Sequence, residues 1–300
     1  MRPHVLPLAL CAVLASPALL AATPIDQTRP LDPRGRVEID NLKGRIQVRA
    51  WNRGEVKLSG MLGDGVERLV VEGGGDHLVV KVQYPKQIGI WRSGHTGPTD
   101  LQLLVPLQAS LDIDSVSADI DVDGVAPQSL SIDTVSGQVV VAAAPGSTDI
   151  SSVSGDQRLT LNSRDVKVQS VSGDIDLRGR LGGEVHGETV SGSLSVDSNG
   201  GALRQLSTTA VSGDTTLRVA LADSGQIKVE TVSGDIRLRT PKSLSARLSA
   251  KSFSGDLTAP GAKVRKEEYG PGSSLDQRYG DGAGEIRLET FSGDADLSFE

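Results

Sequence analysis

The chain has 300 residues, 38 of them acidic and 31 basic, for a net charge of −7. This mild acidity disfavours nucleic acid as a partner, and no polybasic block offers itself to an anionic lipid surface. Aromatic residues make up only 3%, so any core must be thin and aliphatic.

Residues 1–22 have the features of a secretory signal. Arg2 gives a positive start, residues 5–20 are apolar, and small residues follow at Ala18, Ala21 and Ala22, which places cleavage near Ala22. The apolar run is short and broken by Pro7 and Pro17, and there is no second span, so no transmembrane segment is expected after cleavage. Cys11 is the only cysteine, and Leu10 before it is not the small residue a lipidation site needs. The mature chain therefore has no disulfide and no thiol chemistry. An exported protein of this kind suits a bacterial periplasm first, with the cell surface or the medium as the other destinations. Residues 23–36 carry Pro24, Pro30 and Pro33 and read as an extended linker.

Residues 37–110 are read as a first coil followed by an irregular β cap. The coil is 37–48. After it, residues 55–62, 66–71, 78–82 and 101–105 have the composition of strands, and Gly73-Gly74-Gly75-Asp76 marks a hairpin turn. Such a cap would cover the first open edge of a stack, because uncovered strand edges invite aggregation.

Residues 111–300 repeat one theme, stated most clearly by 166–177. Val166 and Val168 share one parity, whereas Val171, Gly173, Ile175 and Leu177 share the other. Alternation marks a strand with one buried face, and a change of parity requires a turn or bulge. Each unit is thus two short strands joined by a corner at Ser170-Val171, both facing one core. Gly44, Ala118, Gly137, Gly155, Gly173, Gly192, Gly213, Gly234, Gly255 and Gly293 anchor the copies. From Ala118 to Gly255 the steps are 19, 18, 18, 19, 21, 21 and 21 residues.

Short strands at that period predict a parallel β-solenoid, or β-helix: a single all-β domain in which stacked coils share their aliphatic layers. A large apolar residue always precedes the Ser-Gly pair, from Leu42 through Val171 to Phe291, and a Ser or Thr usually precedes that, placed to bond the corner backbone. Glycine at the anchor suits close approach of neighbouring coils, more than a need for positive φ, since Ala118 fills it once. The step from Gly255 to Gly293 is 38 residues. Residues 260–284 are therefore a loop insertion or a degenerate coil, and 286–297 closes the chain.

The Ser-Val-Ser-Gly-Asp repeats at 115–119, 134–138, 152–156, 170–174, 189–193, 210–214, 231–235, 252–256 and 290–294 resemble the bacterial DUF4097 family of adhesin-like β-strand repeat proteins. The entry segment 100–106 and the glycine-rich lead 280–284 resemble that family too. The resemblance implies a β-strand repeat fold and an adhesin-like role. It brings no catalytic residue to carry over.

Catalytic signatures are absent: there is no zinc-binding His-Glu-x-x-His, nucleophile elbow or phosphate loop. Gly280, Gly282 and Gly284 have dinucleotide-loop spacing, but no helical pattern follows them. His77, His95 and His186 share no ligand spacing. No cofactor or metal is expected. A calcium column through Asp214, Asp235 and Asp256 is the alternative, but the glycine-rich nonapeptide of calcium β-rolls is missing, and each Asp is expected to cap its own turn. Trp51, Trp91 and Tyr84 are the aromatic candidates for a glycan face, with cap packing preferred.

The expected function is that of an exported, non-enzymatic adhesin-like scaffold or binding protein of the cell envelope. Its partner would be an envelope protein or a glycan. The alternative is a carbohydrate-active β-helix enzyme, a polysaccharide lyase or hydrolase, with Asp174, Asp176 and Arg158 as its outer-face cluster. Catalysis needs a unique site, however, and a repeat makes many similar ones. The irregular first segment and the polar Ser298 and Glu300 predict closed ends and a monomer.

Overall fold

The computed structural model describes residues 23–85, 96–267 and 271–300, so the signal segment, Cys11, Trp91 and His95 lie outside the described residues. No helix occurs among the described residues, and the strands form a largely parallel β-solenoid. Each repeat supplies two strands. Ser129–Thr134 and Val139–Ala143 make one coil, and Ser147–Ser152 and Gln157–Leu161 make the next. Successive coils superimpose in register: Ile132 on Ile150 on Val168, and Val139 on Gln157 on Ile175. Alternate residues of both strands point inward, so Ile132, Ile150, Val168, Leu159 and Leu177 are all buried in one layered core. In the longer coils a third short side forms, where Ala202 and Leu203 pair with Ala220 and Leu221.

The glycine corners form a column with no room for a side chain. A Cβ on Gly173 would lie 2.2 Å from the Gly155 carbonyl oxygen, and one on Gly234 would lie 2.2 Å from that of Gly213. Close approach is thus the reason for the anchor. At Gly213 and Gly234 a positive φ of 145° and 151° adds to it. The serine two positions before the exposed one also acts at the corner: Ser152 Oγ and Ser170 Oγ accept the Gly155 and Gly173 amides at 2.9 and 2.8 Å.

The order of coils in space departs from their order in sequence at both ends. The strand Thr23–Trp51 lies between two later segments. Its residues 36–40 pair with 77–81 on one side and 110–114 on the other. At the far end Gly284–Ser292 inserts between Thr215–Ser233 and Ala246–Ser254, and Ala295–Phe299 inserts between Ile236–Thr240 and Leu257–Thr258. The last unit in sequence, expected to close the stack, is therefore one coil in from its end. Parity alone cannot reveal this, because every copy presents the same apolar face and the same ladder.

Antiparallel strands cover the ends. Glu55–Leu62 lies against Thr99–Pro106 and also pairs with residues 23–30, so the stretch expected as an extended linker is extended but built into the cap. Glu67 donates its amide to the Gln83 carbonyl at 2.9 Å, which folds Arg68–Gln83 back about Gly73–Gly75 as the hairpin expected there. At the other end Ser273–Tyr279 runs antiparallel to Ala246–Ser254, with Val264–Lys266 outside it. The stretch 260–284 is thus a strand-bearing cap instead of a loop thrown out from one coil. Reversed strand direction ends the parallel register, which leaves no matching edge for another coil.

Gly173→Ala should cost about 3 kcal/mol in a urea melt, because a buried backbone has to move aside. Gly182→Ala, where a Cβ would meet nothing within 4 Å, should stay within about 0.5 kcal/mol of wild type. Equal losses at the two sites would contradict the stacked-corner account.

Candidate functional site

The parity change at each corner is absorbed by two consecutive outward residues. In the copy 170–173, Ser170 and Gly173 are buried while Val171 and Ser172 face solvent. The valine whose parity predicts an inward position therefore points out. The same happens in ten coils: Leu42, Val116, Val135, Val153, Val171, Val190, Val211, Val232, Phe291 and Phe253 are between 38% and 56% exposed. In that order they form a ridge at one side chain per coil, about 4.8 Å apart. The two phenyl rings stack with centroids 4.7 Å apart and planes 8° apart. The ridge exposes on the order of several hundred Å² of continuous apolar surface, at the upper end of what monomers show.

The backbone beneath it is tightly held. Ser154 and Ser172 donate their amides to the Val135 and Val153 carbonyls at 2.9 and 2.8 Å. Their hydroxyls, both at 3.2 Å, donate to the same carbonyls. Each exposed serine thus ties its coil to the ridge residue of the coil before.

Along one flank lies a shallow groove of about 460 Å³ whose lining includes Val135, Val153, Val171, Asp114, Asp133 and Glu188. Burial raises the Asp114 and Asp133 carboxyls above the usual carboxylate range, and like charges on nearby acids add to the effect. Neither forms an ion pair among the described residues, in contrast to Asp40 beside Lys81 and Asp112 beside Arg36, although Lys167 and the Ser151 hydroxyl partly offset the effect at Asp133.

The other flank carries the aspartates that follow the glycines. They cap the neighbouring coil, not their own turn. Asp156, Asp174 and Asp214 Oδ1 accept the amides of Asp174, Ser193 and Asp235 at 3.2, 2.8 and 3.1 Å. Asp214, Asp235 and Asp256 are not consecutive, because Asp294 stands between Asp235 and Asp256. Arg237 also bridges Asp214 and Asp235 at 2.8 and 2.7 Å. Among the described residues, no group of three or more His, Cys, Asp or Glu side chains is placed to hold a metal ion.

Asp176 and Arg158 are register neighbours, but Arg178 grips Asp176 through two bonds of 2.8 Å and Arg158 lies 4.0 Å from Asp156. Asp174 serves the Ser193 amide. His77 and His186 each lie beside one glutamate, Glu38 and Glu188 respectively. Trp51 donates to the Glu55 carbonyl at 2.7 Å beneath the Arg53 guanidinium, and Tyr84 donates to Asn41 at 3.0 Å, so both pack the N-terminal end.

The family model Toastrack DUF4097 matches residues 52–229 and 199–298. The chain belongs to this family. The Toastrack match begins just past coil 36–51, the coil that the fold slots into the interior of the stack. Among the solved structures similar to the chain are the following three. A "putative cell adhesion protein" from Clostridium sporogenes is 12% identical, with 93% of this chain and 100% of that one covered and a TM-score of 0.22. A "putative adhesin" from Bacteroides fragilis is 10% identical, with 94% and 99% covered and a TM-score of 0.42. Another "putative adhesin", from Parabacteroides merdae, is 10% identical, with 92% and 96% covered and a TM-score of 0.40. No curated protein matches this Toastrack chain.

The Arg237 guanidinium, with the Asp235 amide, holds the Asp214 carboxyl below its ordinary range. A carboxyl whose folded pKa is depressed adds stability above its unfolded value and loses it as pH falls through the folded one. Asp214→Asn should therefore cost about 0.5–1 kcal/mol near neutral pH, the range of a solvent-screened pair. The gap should close on acidification below the ordinary carboxylate range. Urea melts across that window check this, and a gap that stays constant with pH would refute it.

Proposed function

We propose that this chain is an exported, non-enzymatic binding protein of the bacterial cell envelope, and that the corner ridge is the surface it presents to a partner protein. The observation that carries this reading is the run of large apolar side chains at positions that point out of the core. They lie outside the layered core and leave between 38% and 56% of their surface exposed. Yet the same choice is made ten times within one sequence. Apolar surface of this extent is the usual mark of a binding face.

The partner segment is apolar and basic. Aliphatic side chains would cover the valines, and cations would meet Asp114 and Asp133, which form no ion pair among the described residues, across the groove. Stacked valines make few specific contacts to sugar hydroxyls, which favours a protein over a glycan here. The ridge is hydrogen-bonded to the coil on either side, so little order has to be created on binding. The acids that a carbohydrate-active enzyme would use are engaged by neighbouring amides and arginines, which favours the non-catalytic reading. Export rests on the pattern of residues 1–22, with the periplasm as the first destination and the cell surface or the medium as the others.

The triple variant Val153→Ser, Val171→Ser, Val190→Ser should stay folded with its thermal midpoint lowered by no more than about 5 °C, since three surface sites at up to about 0.5 kcal/mol each sum to at most about 1.5 kcal/mol. It should lose at least about tenfold in affinity for the partner that wild type captures from envelope extracts, a change of about 1.4 kcal/mol. A partner held equally by wild type and variant would sink the ridge as the contact surface. For export, the chain recovered from the periplasm of producing cells should begin near Thr23. Recovery of the uncleaved chain from the cytoplasm alone would exclude it.

A further inference from the structure

We propose a second binding site, independent of the ridge: an oxyanion site formed by Arg247 and Arg278 at the C-terminal end of the stack. The two arginines are exposed and stand directly opposite one another in the antiparallel pair of Ala246–Ser254 with Ser273–Tyr279. Like charges placed directly across an antiparallel pair repel. Neither forms an ion pair with a described residue, whereas nearby Arg218, Arg237 and Arg287 each have a carboxylate within 2.8 Å. Glu285 pairs in register with Arg247, but Arg287 holds it at 2.8 Å. Arg278 donates to the Asp281 backbone carbonyl, which leaves most of its fork free.

The outward grid around the two arginines has excess positive charge. One row runs Gln226, Glu285, Arg247, Arg278, and the next runs Lys228, Arg287, Ser249, Asp276. Arg247 and Arg278 line an open cleft of about 970 Å³. Asp276 and Glu285 line it too, but each has an arginine of its own outside the cleft, Arg265 at 4.0 Å and Arg287 at 2.8 Å. The loop behind the cleft is shaped to the arginines. Gly282 has φ +68°, and a Cβ there would lie 2.9 Å from Arg278 Nε and 3.2 Å from Arg247 Cγ. A glycine at this point lets both stems lie side by side beneath the loop.

Two guanidiniums on one side of a cleft match a carboxylate or a phosphate, each of which takes paired N–H donors. The cleft exceeds what one such ion fills, and its Gln226 amide and Ser249 hydroxyl suit ligand hydroxyls. The ligand class is therefore a polyhydroxylated molecule carrying an oxyanion, such as an acidic saccharide.

Calorimetric titration of the full mature chain would use trigalacturonate as the carboxylate probe, glucose 6-phosphate as the phosphate probe and maltotriose as the neutral control. One or both anions should bind with maltotriose silent, and the arm that binds identifies the oxyanion. Arg247→Gln/Arg278→Gln should weaken that binding at least tenfold with an unchanged melting point. Arg278→Glu should abolish it while raising the melting point, because it converts a repelling pair into an attracting one. Silence of both anions at millimolar concentration, or equal affinity in the double variant, would overturn the proposal. The valine-to-serine ridge variant should bind the anions as wild type does, so each surface can fail without the other.

Discussion

The structure depends on how closely one coil's corner can approach the next. Parallel ladders fix the spacing of coils at about 4.8 Å, and at the corner two backbones meet with nothing between them. Anchor glycines face the preceding coil's carbonyl at distances that would put a Cβ in direct overlap. Given that approach, the rest of the corner follows. A buried serine hydroxyl takes the glycine amide, an exposed serine binds back to the previous coil, and an aspartate caps the coil beyond. The threonines that replace the buried serine in other copies behave differently: the Thr189, Thr231 and Thr290 hydroxyls are buried without a partner. The corner tolerates them because shape and close approach matter there more than that one hydrogen bond.

A stack built this way has two open ends, and the chain closes both by the same device. The terminal coils of the sequence are threaded one position inward, and the outermost layers are finished with antiparallel strands. Residues 36–40 and the strand Gly284–Ser292 thus each have a parallel ladder on both sides. The reversed outer strands also make end-to-end growth a poor match.

Function and fold meet in the change of parity. A strand pair that keeps both faces on one core must place two consecutive residues outward at its corner. One of them is serine and works for the fold. The other is valine, leucine or phenylalanine, lies outside the layered core, and recurs as an exposed apolar ridge. The acidic groove along one flank and the paired arginines at the far end are separate features with different chemistry. They occupy different coils, and so one rigid frame can carry more than one kind of recognition.

The amino-acid sequence alone determined the coil. Its period, its two strands, the aliphatic layers and the glycine corner were all legible, because each is a local pattern of side-chain parity and size repeated many times. Three things were decided only by the tertiary structure. Which coil neighbours which could not be read, since equivalent ladders are interchangeable and only the caps distinguish the ends. The outward turn of Val171 and its counterparts was hidden because parity counts one residue at a corner where the backbone spends two. Arg247 and Arg278, 31 positions apart in the chain, became partners only when a stretch resembling a loop folded back as an antiparallel strand. Local periodicity specifies what a segment buries, whereas long-range pairing decides what it meets.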